Sequence, residues 1–387
     1  MNAVGGPASA LLLVALQCAA MVLSHGHSAA AACPFCGPVG RSLAERRDAA
    51  VAVLIATAER PAARDADGLL VQPFTVLAAL RGDVPSEARV EAARVEASAP
   101  GTAVLFGVIA GDRRRWEAIP ADETLIDHVA RAPAVEEPAE RRLRWFVPRL
   151  EHPSEAIAAD AFTEFGLAPF ESVRAVADTF DVARLRAWLA DDGLDPRRRG
   201  FYGLALGLAA RSSDAAARTA AIEALRAAVD APGSDLRAWY DGILAGFLVA
   251  DGAAALADLA DRGLFAATTR AGDARHALAA LRFAWESLRD TIPQDSVAAA
   301  AAGLLDNPAV AADAAVDLAR YQRWDDLDRV AALWTSLGHD DPLIRRAVAG
   351  YLEACPLPAA AAHRERLAGA DPVAWQAARA AAAGPAR

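Results

Sequence analysis

The chain is 387 residues long with a formal net charge of −10, and 54% of its residues are hydrophobic, which is enough apolar material for more than one folded domain. All 40 basic residues are arginines, so a Walker A loop, a Schiff-base enzyme, a protein-kinase ATP site and a Ser-x-x-Lys nucleophile pair are excluded, because each needs a lysine. Residues 151–387 carry 24 arginines against 33 acidic residues, and this acidic balance disfavours nucleic-acid binding because it repels the phosphate backbone.

Residues 1–32 have the pattern of a cleavable secretory signal. Residues 10–23 are apolar except for Gln17, and the small-residue run 29–32 follows, which is typical of a signal-peptide core and its cleavage site. The apolar stretch is shorter than the roughly 20 residues that a membrane-spanning helix needs, although a permanent N-terminal anchor stays the alternative. We therefore expect an exported protein, periplasmic or extracellular, whose mature chain begins near Cys33. No later segment has the length and apolarity of a membrane span.

Cys33 and Cys36 have the spacing of a chemically active pair. A Cys-x-x-Cys pair serves as a structural disulfide, a redox couple or half of a zinc site. Export favours the disulfide, whereas a thioredoxin-like pair follows a strand and a zinc site needs two further ligands. Lipidation of Cys33 is disfavoured because nine residues separate it from the apolar core of the signal. We predict a disulfide or redox pair here, and we assign no catalytic, metal-binding or cofactor-binding residue elsewhere.

Residues 49–119 have strand character, which the rest of the chain lacks. β-Branched and other apolar residues recur there in short runs that end at turns. Such a pattern predicts a small β-barrel or sandwich, which we place at residues 33–130. The runs are 49–57, 69–80, a polar, edge-like run with Val90 and Val95, 102–109, and a last run towards Trp116.

The order of these pieces matches a known type of barrel. A cysteine pair precedes the first strand, residues 74–77 lead to Gly82 after a basic residue, and Gly101 precedes residues 104–107. In this order the region resembles the OB-like barrel of netrin-like domains. The resemblance implies an OB-like fold for this part of the chain. It does not extend to protease inhibition, because netrin-like domains use further cysteines that this sequence lacks.

From about Ser154 onward, predicted helices follow one another with short polar breaks. Four pairs of a good N-cap residue with a following proline predict helix starts, because the side chain caps the first turn and the proline is pre-set for it. Apolar residues recur at helical spacing within residues 236–248 and 343–352. The four capping residues are Asp195, Asn307, Asp341 and Asp371.

Two of these predicted helices repeat each other. Tyr202 and Tyr240 lie 38 residues apart in the similar segments 201–208 and 239–248, and each segment has two glycines four residues apart. A glycine costs about 1 kcal/mol in a helix interior, so we expect these glycines to let a neighbouring helix approach closely. Aromatic helices recur towards Tyr321 at a spacing that is typical of two-helix repeats.

Residues 341–348, Asp-Pro-Leu-Ile-Arg-Arg-Ala-Val, resemble the start of a HEAT repeat, and residues 152–157 and 195–197 are looser copies. The resemblance implies a mainly α protein with a HEAT-like α-solenoid over about residues 150–387. We place the helical domain that contains this solenoid at residues 131–387.

The whole chain also resembles a group of uncharacterised exported bacterial proteins. These proteins open with a Cys-Pro-x-Cys motif and continue through motifs that appear here as Glu164-Phe165 and Leu318-Ala319-Arg320. The resemblance implies an architecture and no particular activity.

The remaining conspicuous residues are predicted to be structural. The arginine clusters lie among acids or at helix starts, which is typical of solvated surface. Tryptophans on apolar faces are typical of a core, and lone histidines such as His128 share no ligand spacing. The arginines are Arg113 to Arg115, Arg141, Arg142, Arg144 and Arg197 to Arg199, and the tryptophans include Trp239, Trp285 and Trp334.

Two functions fit these features. The first is an exported scaffold or binding protein whose stacked helix pairs present an extended surface to a protein or peptide partner in the cell envelope. The alternative is an envelope thiol oxidoreductase that works through Cys33 and Cys36. We expect neither a nucleic-acid partner nor a cofactor for either function.

Overall fold

The structure is a computed structural model that describes residue 35 and residues 40–65, 68–94, 99–233 and 237–384. This part of the chain is mainly α-helical: a small closed β-barrel of five strands comes first, and a HEAT-like α-solenoid follows it. The predicted fold class is therefore confirmed. The expected signal at residues 1–32, both cysteines of the N-terminal pair, Val95 and Leu236 lie outside the described residues.

The barrel is made of five strands, and a short sixth strand lies at its edge. The strands are β1 (Ala52–Ala58), β2 (Ala63–Arg64), β3 (Leu70–Arg81), β4 (Arg89–Ala93), β5 (Gly101–Ala110) and β6 (Arg113–Pro120). Their order is β1-β5-β6-β4-β3-β2, and the pairing of β3 with β1 closes the barrel. The contact of β4 with β6 is parallel, whereas the other pairs are antiparallel.

The alternation of side chains along the strands separates two apolar cores. Leu54, Phe74 and Trp116 fill the inside of the barrel. Val53, next to Leu54, belongs to a second cluster on the outer face. A Cβ at Gly107 would lie 2.9 Å from the Trp116 ring, so the large indole fits inside the barrel because glycine stands opposite it.

A helix that we did not predict from the sequence precedes the first strand. It is α1 (Leu43–Ala49), and β1 begins only at Ala52, so the run predicted from residue 49 starts at the end of this helix. A sequence signal for the helix was present. The Ser42 side chain accepts from the Glu45 N–H at 3.1 Å while the Glu45 carboxylate accepts from the Ser42 N–H, which is a capping box.

The helices after the barrel stack in sequence order. They are α2 (Glu123–Arg131), α3 (Ala139–Phe146), α4 (Glu155–Leu167), α5 (Phe170–Ala175), α6 (Val182–Ala190), α7 (Pro196–Ser212), α8 (Ala215–Asp230), α9 (Tyr240–Asp251), α10 (Ala253–Asp261), α11 (Ala271–Ser287), α12 (Gln294–Gly303), α13 (Ala311–Arg320), α14 (Leu327–Ala332), α15 (Pro342–Ala354), α16 (Pro358–Ala370) and α17 (Pro372–Ala383). We call the helices from α3 onward the helical body. Within the described ranges, no helix combines the length and the apolarity that crossing a membrane requires.

One apolar layer joins the barrel to the helical body. Phe106 on the outer face of β5 shares a buried cluster with Leu43 of α1, with Leu125 and Val129 of α2, and with Ile157 of α4. Helices α1 and α2 therefore lie between the two regions and contact both.

Three of the four predicted N-caps are confirmed. Asp195 caps α7, Asp341 caps α15 and Asp371 caps α17, each by accepting a hydrogen bond from a backbone N–H of the first turn. In all three helices the following proline occupies the first helical position, where its missing N–H costs nothing.

The fourth predicted cap, Asn307, is wrong. Helix α13 begins only at Ala311. The Asn307 side chain instead accepts from the Ala309 N–H at 3.0 Å and donates from Nδ2 to the Thr269 carbonyl oxygen at 2.8 Å. The amide thus stabilises a turn and links it to a segment 38 residues earlier.

Helices α7 and α9 cross at their glycines, as the repeated segments predicted. A Cβ at Gly203 would lie 2.8 Å from the Ile243 Cα, and a Cβ at Gly246 would overlap the Gly203 backbone. Any side chain at these positions would push the two helices apart. The glycines of α7 therefore allow the close approach of α9, and the glycines of α9 allow the close approach of α7.

Polar side chains bridge corresponding positions of neighbouring repeats in the helical body at a nearly constant spacing in sequence. Such a separation is close to one repeat, so equivalent faces of neighbouring repeats lie side by side. The bridges are Arg226 to Asp258, 32 residues on, Arg237 to Asp273, 36 residues on, Arg282 to Asp317, 35 residues on, and Asp328 to His363, 35 residues on.

Candidate functional site

Cys33 and Cys36 lie outside the described residues, so their disulfide or redox role stays a prediction. Cys355 is a buried free thiol directly after α15. Within the described ranges, no group of three or more His, Cys, Asp and Glu side chains is arranged to hold a metal ion.

Phe35, which stands between those two cysteines in sequence, is buried in the helical body. It is 1% exposed, and its ring meets the Phe283 ring edge-on at a centroid distance of 5.1 Å. Phe283 in turn meets Phe170 at 5.0 Å. The backbone is close as well, because a Cβ at Gly200 would lie 3.3 Å from the Phe35 carbonyl oxygen. Phe170 of α5, Gly200 of α7 and Phe283 of α11 form what we call the aromatic slot.

A groove of about 1030 Å³ lies along the helical body between α6 and α8. Its walls are rich in alanine, whose short side chains leave the space between the two helices open. We call it the α6–α8 groove. Its alanines are Ala183, Ala187 and Ala190 of α6 and Ala224, Ala227 and Ala228 of α8.

Arginines dominate the charged lining of this groove. Its described lining residues include three arginines, Arg186, Arg199 and Arg237, but one acid, Asp192. Arg199 is engaged, since it donates to the Leu189 carbonyl oxygen at 2.8 Å. Arg186 is exposed and forms no hydrogen bond or ion pair within the described part of the chain, so its guanidinium is available to a partner.

A second pocket, of about 620 Å³, lies beside Tyr240 and holds a network of paired charges. Arg237 and Arg270 both bind Asp273, with contacts of 3.1 Å and 2.7 Å. Burial alone would raise the pKa of Asp273, but hydrogen bonds and charge from these two arginines outweigh it and hold the pKa below its ordinary value. The carboxylate therefore stays charged at neutral pH, and the network ties two helix connections together rather than offering a free cation.

Buried polar side chains also join the barrel region to the helical body. His128 of α2 donates from Nε2 to Asp160 Oδ2 of α4 at 2.8 Å, and Asp160 Oδ1 accepts from the Leu43 N–H of α1 at 2.6 Å. Both side chains of the His128–Asp160 pair are 2% exposed. The pair holds three helices together, and nothing in the spacing of the histidines in the sequence indicated it.

Arg198 is buried and Arg142 is half-buried, so the prediction that their clusters are solvated is wrong for these two. Arg142 forms an ion pair with Glu164 of α4, and Arg198 binds Glu151 at 2.9 Å. Burial raises the pKa of Glu164, although the Ser42 hydroxyl and the Arg142 charge act in the opposite direction. Acids that are distant in sequence cover both arginines, and only the folded chain brings them together.

The other residues that were predicted to lie on the surface or in the core match the observed burial only in part. Arg113 to Arg115 are exposed, as predicted. Trp334 is buried, whereas Trp285 is half-buried and stacks on Tyr321 at a centroid distance of 4.0 Å.

In comparisons with known proteins, no protein family, curated protein or solved structure matches the chain. The resemblances to netrin-like barrels and to exported Cys-Pro-x-Cys proteins therefore stay predictions. The barrel and the solenoid rest on the structure itself.

Proposed function

We propose that this protein is an exported scaffold that binds a protein or peptide partner in the cell envelope through its helical body. The observation that carries the proposal is the α6–α8 groove, an open groove with a volume of about 1030 Å³ in a stack of helices. Export rests on the signal pattern of residues 1–32.

The shape of the groove suits a peptide segment. Six alanines of α6 and α8 line it, so the backbone of a partner segment can approach both helices closely. Leu189 and Ile243 add larger apolar surface. A helix or extended segment that inserts apolar side chains into such a groove is a common mode of peptide recognition.

The charge of the groove favours an acidic segment. The free guanidinium of Arg186 lies on its wall, and arginines outnumber acids among the described lining residues. The chain from residue 151 onward carries a net excess of acids, so this groove is a local exception. An acidic partner would be attracted here and repelled by the acidic remainder of the helical region, which favours the groove as the site of binding.

Binding of the purified exported protein to an array of synthetic peptides of graded acidic content tests this proposal. Peptides with several Asp or Glu residues beside apolar ones should bind. Ala187→Trp fills the groove and should abolish binding, and Arg186→Glu should weaken it by roughly tenfold because it reverses the free charge.

Matched controls lie on exposed helix surface away from the groove. Ala254→Trp on α10 and Arg211→Glu at the end of α7 should leave peptide binding unchanged. Equal binding by the groove variants and the controls would rule the groove out as the site.

The same assay separates the scaffold from the thiol oxidoreductase. A chain with both Cys33→Ser and Cys36→Ser should bind acidic peptides as the unmodified protein does. If no peptide binds, and if disulfide exchange with oxidised glutathione disappears in this double variant, the oxidoreductase function replaces the scaffold.

A further inference from the structure

The aromatic slot gathers residues from three helices of the body that are far apart in sequence. Phe283 contacts the ring of Phe35, Gly200 lies close to its backbone, and Phe170 packs behind Phe283. Only eight residues later the chain enters α1, which packs beside the barrel. The start of the described chain thus contacts the helical body before it contacts the barrel.

The wall of the slot is closely fitted to its occupant. A Cβ at Gly200 would lie 2.8 Å from the Trp239 Cβ as well as 3.3 Å from the Phe35 carbonyl oxygen, so a side chain at this position would displace both. Trp239 itself has a φ of 64°, a left-handed conformation that costs energy for a large side chain and persists only where its surroundings compensate.

We propose that Phe35 is an intramolecular anchor that docks the N-terminal segment onto the aromatic slot of the helical body. The anchor works through burial of the Phe35 ring and its edge-on contact with Phe283, a type of contact that adds to the stability of apolar burial. Loss of this one ring releases the segment while the helices that form the slot keep their own contacts. The docking is independent of the scaffold function proposed above.

The residue that follows the anchor is a natural reporter of docking. Cys36 follows Phe35 directly in the sequence. We therefore expect removal of the Phe35 ring to make the Cys36 thiol easier to alkylate.

The test measures the alkylation rate of Cys36 by N-ethylmaleimide in a chain in which Cys18, Cys33 and Cys355 are replaced by alanine. Phe35→Ala in this background should react at least roughly tenfold faster, because protection of a locally ordered segment follows its opening equilibrium. Helical circular dichroism should stay unchanged. Equal rates with and without the ring would overturn the proposal.

Two further variants complete the design. Phe265→Ala also removes a buried ring from the helical body but lies outside the slot, so it should leave the Cys36 rate unchanged. If Phe35→Ala lost its helical signal, Phe35→Leu would give the same comparison with an apolar side chain kept. Its alkylation rate should exceed that of the parent chain, and equality would contradict the anchor.

Discussion

The barrel and the helical body are stabilised in different ways. In the barrel, closure through β1 and β3 gives each of its five strands two neighbours, so the interior side chains share one core. In the helical body, polar bridges join residues 32 to 36 positions apart, which links each repeat to the next. A defect in the barrel should therefore affect all of its strands, whereas a defect in the body should stay with the adjoining repeats.

The largest expected effect tests the shared core of the barrel. Trp116→Ala removes the indole that packs against Gly107 and should cost about 3–5 kcal/mol of barrel stability. Hydrogen exchange should show loss of protection in β1, β5 and β6 together, with α13 and α15 unchanged. An equal loss of protection in both regions would contradict the comparison.

The next effect concerns the junction of the two regions. Asp160→Ala leaves His128 and the Leu43 N–H without their buried acceptor and should cost about 3 kcal/mol. Hydrogen exchange should increase in α1 and α2. Asp160→Asn keeps an acceptor oxygen and should cost less. If α9 and α11 lost protection to the same degree, the effect would not be confined to the junction.

Two glycines in the helical body give a matched pair. Gly246→Ala places a methyl group against the Gly203 backbone and should cost about 2 kcal/mol in urea denaturation. Gly369→Ala on α16 has open space around its Cβ and should stabilise by up to about 1 kcal/mol. Equal effects at both sites would show that helix propensity, rather than the α7–α9 contact, decides the outcome.

The smallest effect depends on pH. Asp273→Asn should lower the free energy of unfolding by about 1 kcal/mol at pH 7, because it removes the charge that Arg237 and Arg270 bind. The folded pKa of Asp273 is lowered, so its contribution is complete above its ordinary value of 3.8 and disappears as the pH falls through the folded pKa. Urea denaturation at pH 7 and at acidic pH measures the difference between the two chains. A difference independent of pH would contradict the ion-pair network.

Local signals in the sequence predicted much of the helical body. Asp195, Asp341 and Asp371 act as caps through contacts within a few residues, so the sequence pattern is sufficient to recognise them. Asn307 has the same pattern, but its side chain bonds to a carbonyl 38 residues earlier. Asp and Asn side chains can either cap a helix or link two repeats. Which of the two roles such a side chain takes depends on where the neighbouring repeat lies.

The candidate sites were less predictable than the fold. The α6–α8 groove exists because alanines of two helices face each other across a gap, and no single segment of the sequence contains that gap. The burial of Phe35 likewise depends on Phe283, which is far away in sequence and is itself packed against Phe170.

The sequence by itself determined the fold class and much of the secondary structure of this protein, because strand alternation, helix caps and repeated glycines act over short distances along the chain. It also contains the N-terminal pattern from which we predict export and the Cys33–Cys36 pair, on which the functional hypotheses depend. The tertiary structure alone decided which charges are buried, as for Glu164 beside Arg142, and where the chain's first described residue docks. Burial and pairing depend on which helices become neighbours, and that is a property of the packed chain rather than of any one segment.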